Sequence, residues 1–372
     1  MSCFASLTVD IMIDIFVRLP MKSVLICRCV CKDWNILISD PNFAKLLFTR
    51  TLPATMIRPF RSRIFRLAEY DPIEWHERRN NPCCCRVFDV LNHSSSSIKL
   101  DPKFEIPLPG PKSLKGRELY IEVLPCNGLF YLSGPEYRNI SLVCNPITGE
   151  FIRLPKIPPV RKHCKQIHWG FGFHPKTNQY KLVRIHIFED HSMVVEMHTV
   201  GTSTWINIEI DYPKNLINLC EIGTYLNGAL HWIGLDVDGN VSIWAFNFDT
   251  EKFQTFSMAP RDPGTKLILF EFRDSLCLIY FNKLLGTMWR MERYGVGESW
   301  TPIFQYSASS DSTFQLHDCI AYHDPENQEF RILLTTPWYD DHFQIVHHVP
   351  SLIPLKDIII GDNVLVQNIY SR

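Results

Sequence analysis

Residues 7–38 read Leu7-Thr8-Val-Asp10-Ile11-Met-Ile-Asp-Ile15-Phe16-Val-Arg-Leu19-Pro20, then Met-Lys-Ser23-Val24-Leu-Ile-Cys-Arg-Cys-Val30-Cys-Lys-Asp-Trp34-Asn-Ile-Leu37-Ile38. Thr8 is placed to cap a helix, and Asp10 suits its positive first turn. Ile11, Ile15, Phe16 and Leu19 recur at helical spacing and define an expected inner stripe. Pro20 ends this helix, because proline disfavours helical geometry in the residue before it. Ser23 is expected to cap a second short helix over 24–30. A third should run to Ile38 with Trp34, Leu37 and Ile38 on one side, and Asp40-Pro41 stops it. From Ile11 to Leu19 only Asp14 and Arg18 are charged, so Met12, Ile13 and Val17 are apolar off the stripe as well. A helix apolar on most sides must be buried on most sides. Three short helices cannot do that alone, since units below ~40 residues are marginal even for one small core. The second face must be covered by the rest of the chain or by another protein.

In this order the residues resemble the F-box, the helical module that binds the Skp-type adaptor of cullin-RING ubiquitin ligases. The match runs through Leu7, Asp10, Ile11, Ile15, Leu19-Pro20, Lys22-Ser23, Cys29-Val30-Cys31-Lys32, Trp34, Leu37-Ile38 and Asp40-Pro41. Arg18 to Ser23, followed by Arg28 to Trp34, looks like the plant form. Thr8 departs from the family's usual proline, and Ile26-Cys27 from its frequent Arg-Phe. The resemblance implies that Leu7, Ile11, Ile15, Phe16, Leu19, Pro20, Val30, Trp34 and Leu37 bind the adaptor.

The length, 372 residues, leaves ample chain beyond a helical module over 1–48 for one large or two ordinary domains over 49–372. Lys+Arg 38 against Asp+Glu 39 gives a net charge of −1, which argues against a general attraction to nucleic acid or anionic membrane. There is no apolar run of membrane-spanning length and no signal-peptide pattern at the N-terminus, so the expected location is cytoplasm or nucleus. The 13 cysteines then read as reduced thiols. Cys83-Cys84-Cys85 would point alternately to opposite faces of a strand and cannot grip one metal together. Cys27, Cys29 and Cys31 fail to align on a helix. Small buried hydrophobes are the expected role for these thiols.

From about Thr55 onward, short β-branched and aromatic runs alternate with turn residues, as in 86–91, 128–132, 180–187 and 241–248. The turns repeat. Asn127-Gly lies 100 residues before Asn227-Gly, and Asp274-Ser lies 47 beyond that. Asn145-Pro-Ile-Thr-Gly-Glu and Asn247-Phe-Asp-Thr-Glu-Lys are 102 apart, His174 and His323 within similar stretches 149 apart, and Trp205 and Trp300 95 apart. These gaps are near multiples of ~50, the period of a propeller blade. The fold expected is therefore α+β and multidomain: a three-helix F-box, then an all-β domain, read as a six-bladed β-propeller, with a β-sandwich as the alternative. Trp205 and Trp300 are expected to be packing anchors. The C-terminal run 357–367 is expected to complete the sheet begun by the first strands. Cys126-Asn-Gly-Leu, Asn145 to Glu150, Gly170-Phe-Gly-Phe-His, Tyr180-Lys-Leu-Val and Leu226 to Trp232 resemble the F-box-associated (kelch-like, propeller) domain of plant F-box proteins.

Gly-x-Ser-x-Gly, a phosphate-binding Gly-rich loop and His-Glu-x-x-His are all lacking, so no enzyme, cofactor or metal site is expected. The resemblance implies a substrate receptor of a Skp–cullin–F-box ubiquitin ligase, holding an unidentified target protein on its β domain. A glycan-binding propeller receptor is the alternative. Interface anchors favour Trp, Tyr and Arg on loops. Arg161 in the 161–169 stretch, and Trp338, Tyr339 and Asp341 in the 337–342 stretch, are the expected target-surface residues.

Overall fold

The computed structural model describes residues 7–51, 54–59, 64–71, 84–89, 94–107, 120–121, 123–134, 141–210, 216–260, 266–272, 274–281, 285–307, 318–323, 330–335, 343–359 and 365–369. Four helices come first: α1 (Val9–Phe16), α2 (Met21–Cys27), α3 (Lys32–Ile38) and α4 (Pro41–Arg50). Thr8 takes the extended N-cap conformation, but its side chain makes no capping bond. Pro20, not Ser23, stands at the N-cap of α2, three residues earlier than the sequence suggests. Proline fixes its own φ and has no N–H to satisfy, which suits a helix start as well as a helix stop. Asp40 both ends α3 and begins α4, its carboxylate accepting from the N–H of Asn42 at 2.7 Å and of Phe43 at 3.3 Å. α4 runs through Arg50, so the expected boundary between residues 48 and 49 falls inside a helix.

The strands follow in antiparallel groups. β1 (Ala54–Pro59), β2 (Ile64–Asp71), β3 (Cys84–Asp89) and β4 (Ser94–Pro107) lie in a sheet that the chain completes only near its end. β5 (Tyr120–Ile121), β6 (Phe130–Ser133), β7 (Ser141–Asn145) and β8 (Glu150–Arg153) form the next. β9 (Cys164–His174), β10 (Gln179–Phe188), β11 (Met193–Thr199) and β12 (Trp205–Ile208) form a third; β13 (Leu216–Leu226), β14 (Ala229–Asp236), β15 (Val241–Asn247) and β16 (Lys252–Phe256) a fourth; β17 (Lys266–Phe272), β18 (Ser275–Phe281), β19 (Leu285–Met291) and β20 (Trp300–Ser307) a fifth. β21 (Asp318–His323), β22 (Phe330–Thr335) and β23 (Phe343–His348) return to the first sheet, where β22 pairs with β3 and β23 with β1. β24 (Gln367–Asn368) adds to β8. The partner of β1 is thus β23, in register Ala54↔His348 to Pro59↔Phe343, and not the 357–367 run expected from sequence.

The repeated turns have a shared physical cause. Asn127, Asn227 and Asp274 all take positive φ, at 46°, 50° and 56°, followed at two of the three turns by Gly128 at 83° and Gly228 at 72°. Asn and Asp tolerate this region, and glycine enters it without a Cβ penalty, so Asn127-Gly128 and Asn227-Gly228 close two-residue hairpins, while Asp274 stands just before Ser275, which already pairs with Phe272. The second repeat is an Asx turn. Asn145 Oδ1 accepts from the N–H of Ile147 and Thr148, and Asn247 Oδ1 does the same for Asp249 and Thr250.

Each core lies between consecutive sheets. Tyr131, Val143, Trp169, Phe171 and Leu182 fill the space between the second and third. Val183, Ile185, Val195, Leu230, Trp232 and Phe246 fill that between the third and fourth. Ile233, Ile243, Leu269, Leu278 and Trp300 fill that between the fourth and fifth. Four consecutive sheets joined by three successive cores depart from the sandwich alternative, which places two sheets face to face. Trp300 is buried and donates its indole N–H to Ser257 O at 2.9 Å; Trp205 packs edge-on against Trp169, as packing anchors should.

The helices are part of this packing. Phe16, Val17, Val24, Ile38, Phe43, Ala44 and Leu47 share one apolar cluster with Phe130, Leu132, Leu142 and Cys144 of β6 and β7. Among the described residues no helix is long and apolar enough to cross a membrane.

Candidate adaptor-docking surface

α1 is apolar around most of its circumference, with one polar side formed by Asp10, Asp14 and Arg18. Phe16 and Val17 are buried and Met12, Ile13 and Leu19 pack against the same cluster. Ile11 and Ile15, one turn apart on the opposite side, are 48% and 41% exposed. The stripe expected from sequence is therefore reversed for Ile11 and Ile15. They point outward, and the side bearing Met12, Ile13 and Val17 is the one covered, by the rest of this chain.

The other helices also leave apolar side chains in solvent: Ile26 on α2, Val30 between α2 and α3, Ile36 on α3 and Leu46 on α4. With Val9, Ile11 and Ile15, these make seven of the thirteen exposed large apolar side chains among the described residues, all before residue 51. Scattered single exposures need no explanation, but concentration in one module does. Charges rim α1: Arg18 bonds Asp14 at 2.8 Å, and Arg50 of α4 approaches the same carboxylate at 3.8 Å. Both pairs are exposed and contribute little to stability.

The nine residues singled out for docking fall into two groups. Ile11, Ile15, Pro20 and Val30 are exposed and Leu7 is half-buried. Phe16 is buried, and Leu19, Trp34 and Leu37 are half-buried against the helix–sheet cluster. Ile36, which sequence reasoning passed over, is the most exposed apolar side chain of the helices at 72%. Cys29 and Cys31 are exposed, contrary to the expectation of buried thiols, because α2 ends at Cys27, Cys29 lies in the turn beyond it and Cys31 is the extended N-cap residue of α3.

Of the expected target-surface residues, Trp338, Tyr339 and Asp341 lie outside the described residues. Arg161 stands before β9, 40% exposed at its side chain, and donates to Glu196 Oε1 at 3.3 Å and Asn207 Oδ1 at 2.8 Å. Trp169 is buried, stacked on Tyr131 with centroids 5.9 Å apart. Glu189-Asp190-His191 is a turn in which Asp190 accepts from the N–H and hydroxyl of Ser192, the polar-turn reading.

Arg161 leads into a buried charge network that sequence reasoning missed. Arg184 on β10 and Glu196 on β11 are 1% and 4% exposed and pair directly across the ladder. Arg184 also donates to Pro158 O at 2.9 Å, and its guanidinium lies 5.5 Å from the Trp169 ring and 5.6 Å from the Trp205 ring. Burial alone would raise the Glu196 carboxyl, but hydrogen bonds from His186 and Arg184 and the charge of Arg184 outweigh it and hold it at about 2. The signal was available: Arg184 and His186 are polar positions inside the otherwise apolar run 182–187, and Glu196 interrupts a similar run at 193–197. Two cations gathered on one carboxylate form a rigid base beneath an exposed loop.

Comparison with known proteins places both halves. Residues 4–46 match the F-box domain, and residues 78–315, more than half of the chain, match the F-box associated β-propeller domain. F-box protein At2g23160 of Arabidopsis thaliana is 27% identical over 305 residues, covering 76% of this chain and 88% of that protein. F-box protein At1g47340 of the same plant is 26% identical over 284 residues, and the chain spans only 57% of its length. Among solved structures, TolB from Acinetobacter baumannii is similar over 80% of this chain and 67% of its own, at 10% identity and a TM-score of 0.42. AofleA from Arthrobotrys oligospora is similar over 62% of this chain and 71% of its own, at 10% identity and a TM-score of 0.36. At such scores these likenesses carry no argument about ligands. The family-model matches do settle membership: the chain is an F-box protein belonging to the F-box-associated β-propeller family.

Proposed function

We propose that this chain is a substrate-recognition subunit of a Skp–cullin–F-box ubiquitin ligase. The observation that carries the reading is the exposed apolar set Ile11, Ile15, Val30 and Ile36 on a module that matches the F-box domain. These side chains would be buried by a Skp-type adaptor, while Phe16, Leu19, Trp34 and Leu37 hold the helices on the β domain. Burying what remains exposed of these four exposed side chains contributes on the order of 1 kcal/mol or more each, one part of what an adaptor interface must supply against orientational losses.

The β domain would present the target. Its part is positioning: an acceptor lysine tethered near the loaded conjugating enzyme meets the donor at high effective concentration. The chain supplies no nucleophile to ubiquitin transfer. The seven-stranded sheet has one strand fewer than two four-stranded blades would hold; a six-bladed ring is nonetheless the closure we propose, with β23 against β1 as the join. Loops on one face of that ring, including Arg161 and the 337–342 stretch with Trp338, Tyr339 and Asp341, are the proposed target surface. Action in the cytoplasm or nucleus goes with this role. The test is affinity capture of the full chain and its Arg161→Glu and Asp341→Lys variants from plant cells, with and without proteasome inhibition. Adaptor capture should persist in both variants, and proteins that accumulate on inhibition should be lost from at least one. Unchanged capture of every such protein by both variants would move the target surface elsewhere.

A further inference from the structure

The charge network described above ends on a sulfur. Cys164 Sγ, half-buried at the start of β9, lies 3.5 Å from His186 Nδ1. His186 Nε2 lies 3.1 Å from Glu196 Oε2. Thiol, imidazole and carboxylate therefore stand in line, in the order that activates a nucleophile: a base within reach of the sulfur and a third group orienting the base. From this geometry we propose that Cys164 is a peroxide-reactive thiol and the site of a reversible oxidative modification, with His186 as its proton acceptor and Glu196 as the positioning residue.

The protonation pattern follows from the acceptors. An ionised carboxylate only accepts, so the proton shared with Glu196 belongs to His186 Nε2. In the neutral ring Nδ1 is then the basic nitrogen, and it faces the sulfur. The orientation is fixed. His186 is fully buried, and Glu196 is held by Arg184, itself lodged against Trp169 and Trp205. Burial raises the Cys164 thiol, helped by the Glu196 charge, while the thiol's hydrogen bonds to Gln166 O at 3.1 Å and Ile187 O at 3.8 Å and the Arg184 charge pull against that; the net is upward, so the proton must be removed as the sulfur reacts. The other described thiols differ. Cys126, Cys144 and Cys277 are buried and burial raises each of them, as it raises the half-buried Cys27; Cys29 Sγ donates to Leu25 O as Cys164 Sγ donates to Gln166 O, but without an imidazole bonded to it among the described residues. Among the seven cysteines whose side chains are described, Cys164 is the one whose sulfur meets an imidazole and is still partly open to solvent.

The step balances. Cys164 Sγ attacks hydrogen peroxide, forming the S–O bond as the O–O bond breaks. Sulfur is oxidised by two electrons and the peroxide is reduced. The thiol proton passes to His186 Nδ1 and on to the leaving hydroxide, giving a sulfenic acid and water. A small thiol such as glutathione then condenses with the sulfenic acid, an S–S bond forms and a second water leaves. Reduction of that disulfide by a further thiol restores Cys164.

The experiment treats the full chain with hydrogen peroxide at limiting concentration in the presence of dimedone, and follows labelling at each cysteine by peptide mass spectrometry. Cys164 should label about tenfold or more faster than Cys29 and Cys31, which are more exposed but have no base. His186→Gln, checked for folding by circular dichroism, should bring Cys164 down to their rate. Because His186 is fully buried and its replacement can unfold the chain, the comparison within the native protein decides on its own. Labelling of Cys164 no faster than of Cys29 and Cys31 would overturn the proposal, as would an unchanged rate in a folded His186→Gln variant.

Discussion

Phe16 of α1 meets the indole of Trp34 of α3 edge-on, with ring centroids 4.9 Å apart and planes at 70°. The pair joins the first and third helices directly over the cluster they share with β6 and β7. Phe16→Ala removes a ring that is 3% exposed, so it should cost about 3–5 kcal/mol by denaturant unfolding. Ile15→Ala, one residue away but 41% exposed, should cost less than about 0.5 kcal/mol. Similar losses at the two positions would contradict the assignment of faces.

The C-terminal segment is clamped to the second sheet by Asn145. Its Nδ2 donates to Ser351 O at 2.9 Å and Ile353 O at 3.1 Å, while its Oδ1 holds the β7–β8 turn. Glu150 Oε2 accepts from the Leu355 N–H at 2.7 Å, and Leu355 itself is fully buried. Asn145→Ala should therefore destabilise by about 2–4 kcal/mol, since buried carbonyls lose their donor. Asn247→Ala, which breaks only the equivalent turn, should cost about 1 kcal/mol. Thermal or denaturant melts of the two variants check the difference.

The same clamp explains why the chain should not tolerate truncation at Pro354. The cut removes Leu355 and Ile358 from the core between the second and third sheets, and β24 from the edge of β8. The shortened chain should aggregate on size-exclusion chromatography. A soluble product with a cooperative melt would contradict the packing of this segment.

Acid should unfold the protein through its buried histidines. Burial lowers His168 and His231 to about 4 and His348 to about 3, against an unfolded value near 6.5. Between those values the unfolded chain binds protons that the folded chain refuses. Stability is therefore complete above about pH 6.5 and falls as pH drops toward 4, by roughly 3 kcal/mol per histidine at most. His348 is 2% exposed and neither ring nitrogen has a hydrogen-bond partner among the described residues, so its burial is the least compensated. His348→Leu should move the acid midpoint to lower pH. A midpoint unchanged or raised would show that His348 is not part of the acid transition.

Part of this architecture is local, and that part is legible in sequence. Asn127-Gly128 and Asn227-Gly228 dictate their turns because few other pairs accept positive φ at both positions. Asn145 and Asn247 announce theirs because a short side-chain carbonyl reaches its own backbone two residues on. The inward side of α1 is misread from sequence although a phase is present: Asp10, Asp14 and Arg18, four apart, mark a polar side beside Ile11 and Ile15 and opposite Met12 and Phe16, but the apolar spacing of Ile11 and Ile15 hides it. The network of Cys164, His186 and Glu196 was not legible as a unit. It depends on a β9–β10–β11 register that brings residues up to 32 positions apart onto one face. The pairing of β23 with β1 escaped for a similar reason: no local pattern marks which late strand meets the first one.

The central claim is that the outward side of α1 docks the adaptor. Ile11→Asp combined with Ile15→Asp places charge on that side while leaving Phe16 and Val17 in the core. Titration calorimetry of the purified full chain against a Skp-type adaptor measures the effect directly, with Arg161→Glu as the control remote from the helices. The account predicts at least about a hundredfold loss of affinity in the double variant, an unchanged melting temperature, and wild-type affinity for the control, since each desolvated apolar anchor lost or charged costs over ~1.4 kcal/mol. Wild-type affinity in a folded Ile11→Asp, Ile15→Asp variant would contradict it.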